Sequence, residues 1–197
     1  MKKIMSLFAS ALLLAASSAN AGLFHFTGNI EYHTDIVYTQ FTLDTDATDV
    51  RVWTDSFQDY TNFDPITALW NADTGALIMQ NDDDDSINPA TQTDYDSGFT
   101  LANLAAGNYF FTVATYNNFA LGTNLSDGFT FDGQTPIDVA DWDQPANSNG
   151  QRGKYWSVWM DGVDNATGPV PVSEPASLAI LSIAFAGMAA SRRKARK

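Results

Sequence analysis

The stretch "GNYFFTVATY" (residues 107–116) sets Tyr109, Phe111 and Val113 against Phe110, Thr112 and Ala114. Alternation with a period of two, in residues that are aromatic or β-branched, is the pattern of a β-strand. Gly107 breaks the chain just before it. Neighbouring stretches repeat the pattern. "YTQFTLD" (38–44) places Thr39, Phe41 and Leu43 on one face, and "DVRVWTD" (49–55) places Val50, Val52 and Thr54 opposite Arg51 and Trp53. "KYWSVWMDGV" (154–163) points Trp156, Val158 and Met160 inward. No sustained helical period interrupts them, and turn residues punctuate them at short intervals, the signature of an all-β sandwich or barrel. Within "DPITALWNADTGALIMQND" (64–82), Ile66 to Asn71 and Ala76 to Gln80 form a hairpin around Ala72, Asp73, Thr74 and Gly75, with Gly75 free to adopt the left-handed conformation of a bulged loop. "TPIDVADWDQPANSNGQRG" (135–153) is polar and rich in turn residues, and reads as a long loop before the final strand.

Around this body, residues 22–168, lie two apolar ends. "MKKIMSLFASALLLAASSANA" (1–21) has a basic start at Lys2 and Lys3, an apolar middle and Ala19-Asn20-Ala21 as an A-x-A site. It is expected to be a secretory signal peptide, read by the Sec translocon and cut by signal peptidase after Ala21. The last segment, 169–197, carries an apolar run from Ala176 to Ala190 closed by Arg192, Arg193, Lys194, Arg196 and Lys197. As a helix the run reaches about 22 Å, short of a hydrocarbon core about 30 Å thick. The basic knot sets a membrane stop with the body outside.

The chain has 197 residues, a formal net charge of −13 and no cysteine, so disulfides and thiol chemistry are excluded. Of the ten basic residues only Arg51, Arg152 and Lys154 fall in the body, and Glu31 and Glu174 are the only glutamates. Such a body repels nucleic acid and anionic headgroups and attracts cations. Aspartate's short side chain suits turns and compact oxygen cages.

The acidic stretch "NDDDDSINPATQTDYDS" (81–97) admits two readings. Adjacent aspartates about 6 Å apart repel by only about 0.7 kcal/mol per pair in water, so a solvated turn tolerates them, but by roughly four times that at an effective dielectric of 20. Alternatively, Asn81, Asp82, Asp83, Asp84 and Asp85 converge with Asp96 on a Ca²⁺ ion, which takes six to eight oxygens; Asp94 belongs to the same second cluster, and Asp35 and Asp64 are further candidates from other loops. The EF-hand pattern is absent, since from Asn81, Asp82 or Asp83 position six is never Gly and position twelve never Glu. His25 and His33 lack a supporting Cys or Glu cluster and read as surface strand residues. There is no G-x-S-x-G, no H-E-x-x-H and no phosphate loop. Most Trp residues are expected in the core, whereas Trp142, set among Asp138, Asp141 and Asp143, is the one expected to be exposed and is the candidate saccharide contact.

"VSEPASLAILSIAFAGMAASRRKARK" (172–197) resembles the PEP-CTERM sorting signal of Gram-negative bacteria. In that family a Pro-Glu-Pro triplet precedes the apolar helix and the basic end, and an exosortase is believed to process it. Here Glu174 and Pro175 match, and Ser173 stands in the place of the first Pro. The stretches 63–84, 101–119 and 124–133 are similar to the bacterial pre-peptidase C-terminal domain, which implies a jelly-roll-like antiparallel β-sandwich ectodomain with the Asp-rich loop as a calcium site. The resemblance implies export, transient anchoring in the inner membrane through the C-terminal helix, then the cell surface or extracellular space, with exosortase and exopolysaccharide as partners; it does not imply an enzyme, and no catalytic residues are assigned. The leading expectation is therefore a non-enzymatic, calcium-stabilised envelope or matrix protein. A surface carbohydrate-binding module is the alternative, and a hydrolase comes third.

Overall fold

The computed structural model describes residues 22–143 and 152–169. Nine strands form in chain order: β1 (Gly22–Asn29), β2 (Val37–Leu43), β3 (Val50–Thr54), β4 (Pro65–Asn71), β5 (Leu77–Asn81), β6 (Gly98–Leu101), β7 (Gly107–Thr115), β8 (Tyr155–Val163) and β9 (Asn165–Thr167). The only helical segment among the described residues is a single 3-10 turn, Leu125–Asp127. The strands make two antiparallel sheets, ordered β1-β8-β3-β6 and β5-β4-β7-β2-β9. The first eight pair from the outside inward, β1 with β8, β2 with β7, β3 with β6 and β4 with β5, as if one long hairpin had been folded over. The pairs β3–β8 and β4–β7 then knit each sheet together. The all-β expectation holds for the described residues. The leader with Ala19 and Ala21, the motif Ser173, Glu174 and Pro175, the apolar run 176–190 and the stop at Arg192, Arg193 and Lys194 lie outside them. Among the described residues, no helix is long and apolar enough to cross a membrane.

Both sheets contribute to one core. Phe41, Leu43, Tyr109, Phe111 and Val113 from one sheet pack with Val50, Val52, Phe99, Trp156, Val158 and Met160 from the other. Burying each large apolar side chain contributes about 1.5–3 kcal/mol, which is why the alternating positions become the inner faces. The outer faces depart from simple alternation. Trp53 is buried as well as Val52, because the Arg51 guanidinium lies 5.5 Å from its ring centre and the Trp159 ring runs parallel to it at 6.1 Å. Thr112 and Ala114 are buried too. On the outer face of that sheet, Phe129 from the β7–β8 connection packs with Ala68 and Trp70 in a second cluster. The Trp70 indole N–H donates to Thr112 Oγ1 at 3.0 Å, so the ring is buried without an orphaned donor. The expected final strand is β8, but a short strand, β9, follows it and adds to the edge at β2.

Antiparallel order gathers the connections at two ends. The short ones, 44–49, 72–76 and 102–106, meet where Ala47 pairs with Leu104 and where Asn108 Nδ2 donates to Asp73. The expected β4–β5 hairpin is there, with Gly75 at φ 73° and the Asn71 side-chain oxygen accepting the Asp73 and Thr74 amides. The long connections 30–36, 55–64 and 82–97 share the opposite end, where the connection after β7 also starts before its residues 123–125 run back to the 72–76 turn, Asn124 pairing with Ala76. At that opposite end the Gly153 amide donates to Thr61 O and the His33 amide to Ile137 O.

Candidate metal centre

Asp64 immediately precedes β4, and Asp82 and Asp83 immediately follow β5. The register pairs Thr67 with Asn81, so continuing it by two residues sets Pro65 abreast of Asp83. The hairpin therefore delivers carboxylates from both its ends to one place. One carboxylate oxygen from each of Asp64, Asp82 and Asp83 lies within 4.8 Å of the others. Asp64 is buried, Asp82 half-buried and Asp83 exposed. Asp82 Oδ1 is buried and accepts no hydrogen bond from any described residue. Three ionised carboxylates at this spacing repel by on the order of 3 kcal/mol per pair at an effective dielectric of 20, so the cluster needs a proton or a cation. The acid–base behaviour agrees. Burial raises the Asp82 carboxyl; Asp83, although exposed as a residue, loses part of the water around its carboxyl, and this, followed by the Asp82 charge, pushes it up to about 6. An all-oxygen donor set without His or Cys suits a hard cation. This Asp triad can hold a metal ion.

The other expected ligands go elsewhere. Asn81 Nδ2 donates to the carbonyls of Asp83 and Gly98 and so shapes the loop. Asp84 Oδ1 accepts from the amide and hydroxyl of Ser86, and its own amide donates to Asp96 O. Asp85 is exposed and is not among the clustered carboxylates. Asp96 is the clearest correction. Its carboxylate is fully buried and saturated by protein donors: Oδ1 accepts from the Ser56 amide at 2.7 Å, Thr54 Oγ1 at 3.0 Å and the Phe57 amide at 3.1 Å, and Oδ2 from the Thr93 amide at 2.9 Å. Burial raises its pKa and these bonds oppose the rise. Asp96 ties the 55–64 connection to the 82–97 connection and leaves little lone-pair capacity for a metal. Conversely Asp64, a lesser candidate from sequence, joins the triad.

What Asp96 pins is a strained turn. Gln58, Asp59 and Tyr60 have φ values of 50°, 51° and 65°. The left-handed conformation costs non-glycine residues about 1–2 kcal/mol each, and three in succession are unusual. The Asn62 amide donates to Phe57 O at 3.1 Å across the turn, and Asn62 Nδ2 donates to Gln58 Oε1. Nothing in the local sequence signals this turn, because it contains no glycine.

Trp142 is buried, contrary to its expected exposure. Its ring stacks on His33 at 5.0 Å and meets Phe131 edge-on at 5.8 Å, a pocket that supplies more contact than water would. The acidic neighbour Asp138 turns to Lys154, which also binds Glu31. His33 is likewise buried and not on the surface: its Nδ1 accepts the Ile137 amide, leaving Nε2–H for Gln134 Oε1. His25 is exposed on β1, stacked on Trp159 at 3.7 Å, with Nε2 2.8 Å from Ser157 Oγ. Ser157 is itself buried on β8, so this pair does not present a hydroxyl to a substrate. Asp35 accepts the amides of Glu31 and Tyr32 and serves its own loop. No protein-family model matches the chain, and no curated protein or solved structure matches it.

Proposed function

We propose that this chain is an exported, non-enzymatic protein of the Gram-negative envelope or extracellular matrix, whose jelly-roll-like β-sandwich carries a structural Ca²⁺ ion on Asp64, Asp82 and Asp83. The observation that carries the metal reading is the buried, unpartnered Oδ1 of Asp82 inside a group of three carboxylates. Calcium fits this donor set because it accepts carboxylates of mixed exposure and completes its shell with water or backbone oxygen. Bridging Asp64 to Asp82 and Asp83, the ion would staple the start of β4 to the end of β5 and offset their mutual repulsion. The jelly-roll reading is supported by eight strands paired from first to last and divided between two sheets, with β9 as an addition. Export by the Sec translocon, removal of the leader by signal peptidase and sorting by exosortase are supported by the leader and by the tail's likeness to a PEP-CTERM signal, which also supports association with exopolysaccharide.

Melting the protein in millimolar calcium and in excess EDTA tests the metal. At one hundred times Kd, calcium adds about 2.7 kcal/mol, or roughly 5–10 °C for a domain of this size. Equal melting temperatures in the two buffers would remove the metal from the proposal. Sorting is tested by intact mass: protein recovered from the producing cells is expected to have lost both its leader and its C-terminal segment, and recovery with the tail complete would contradict processing.

A further inference from the structure

The strained turn at Gln58, Asp59 and Tyr60 holds an aromatic side chain in solvent. Tyr60 is 48% exposed at the long-loop end, although a phenol ring gains by burial. Its ring stands edge-on to Tyr95 at 5.8 Å and to Phe57 at 5.0 Å, and Tyr95 is edge-on to Phe57 at 4.9 Å. Phe57 is fully buried and fixes the base of this corner, while Tyr95 is half-buried. Asp59 and Asp94 are exposed on the two loops that carry the tyrosines. Two perpendicular phenol rings thus form an open corner, bordered by acceptors and mounted on loops locked together by buried Asp96.

A backbone held in a disfavoured conformation by surrounding bonds points to a use for what it presents. A glycine in the turn would relieve the strain, so the arrangement favours the position of Tyr60 over ease of folding. Tyr offers a rigid amphipathic surface with a polar tip at low entropy cost, suited to a ligand with an apolar face and hydroxyl edges. We infer that the Tyr60–Tyr95 corner, with Asp59 and Asp94 at its rim, is a binding site for neutral saccharide. One pyranose face would stack on a tyrosine ring while sugar hydroxyls donate to the rim carboxylates. Uronic acids would be repelled, since the rim is anionic and the chain carries a net charge of −13. The inference rests on the exopolysaccharide association and is independent of the metal ion.

Calorimetric titration of the purified protein with cellohexaose, mannohexaose, xylohexaose and chitohexaose tests it, with hexaguluronate as the anionic probe. At least one neutral probe is expected to bind, with affinity lowered tenfold or more in Tyr60→Ala and Tyr95→Ala and largely kept in Tyr60→Phe. Tyr60→Gly separates ring from turn: it should melt no lower than wild type yet lose binding. No binding of any neutral probe, equal binding by Tyr60→Ala, or equal binding of hexaguluronate would overturn the site. Co-sedimentation of the protein with matrix from the producing cells reads the association separately. Protein found in the matrix but blind to every probe sinks the site alone, whereas probe binding without matrix recovery sinks the association and leaves the site standing.

Discussion

Asp96 and the Asp82–Asp83 pair come from one acidic stretch and stand at one end of the molecule, yet their surroundings are opposite. Asp96 is fully buried and met by amides and hydroxyls of Thr54, Ser56, Phe57 and Thr93. Asp82 keeps a buried oxygen that no described residue satisfies, beside two more carboxylates. The first arrangement is complete as protein and the second requires something added. Number of charges does not distinguish a structural carboxylate from a ligand; the supply of donors does.

Substitution breaks this contrast most strongly at Asp96. Asp96→Ala strands several buried donors, each costing about 1–3 kcal/mol, so denaturant unfolding should show a loss of at least about 3 kcal/mol in EDTA and in calcium alike. A loss that appears only in calcium would return Asp96 to the metal site.

The pH dependence should separate the two states of the triad. With folded pKa raised to about 6 against an ordinary value of 3.8, Asp83 contributes stability to the metal-free protein that is full below about pH 4 and lost as pH rises through about 6. Calcium needs the ionised form, so its stabilising effect runs the other way, small at pH 5 and developed by pH 7.5. Melting curves at both pH values, with calcium and with EDTA, check the two signs. Asp83→Asn should abolish the calcium response and, in EDTA at pH 7, raise stability by less than about 1 kcal/mol, because Asp83 is exposed and its repulsion is screened.

The smallest effect belongs to the turn that Asp96 anchors. Asp59→Gly relieves one left-handed residue and should raise the melting temperature by an amount corresponding to roughly 0.5–1 kcal/mol. A lower melting temperature would show that the turn is not strained as its φ values imply.

Strands such as β2, β7 and β8 were legible because their inward residues alternate within a single segment, and Gly75 marked the hairpin. The covering of Trp53 and Trp70 was not legible, since it depends on Trp159 and Phe129 from distant segments. Strand β9 is three residues long, too short for a pattern. At the site, the Asp run announced acidity but not partners. The strand boundaries carry a finer signal: Asp64 stands just before β4 and Asp82 just after β5, so the hairpin alone brings them to one end, with Pro65 abreast of Asp83. Trp142 reads as exposed because its neighbours in sequence are acidic, while the pocket it enters is built by His33 and Phe131.

The central claim is that Asp64, Asp82 and Asp83 take a cation while Asp96 does not. Calorimetric titration of calcium into the metal-free protein at pH 7.5 tests it most directly, with Asp82→Asn as the paired sample. The account predicts one saturable site of millimolar or tighter affinity in the wild type and none in Asp82→Asn. Absence of binding by the wild type at millimolar calcium, or an unchanged isotherm in the variant, would contradict it.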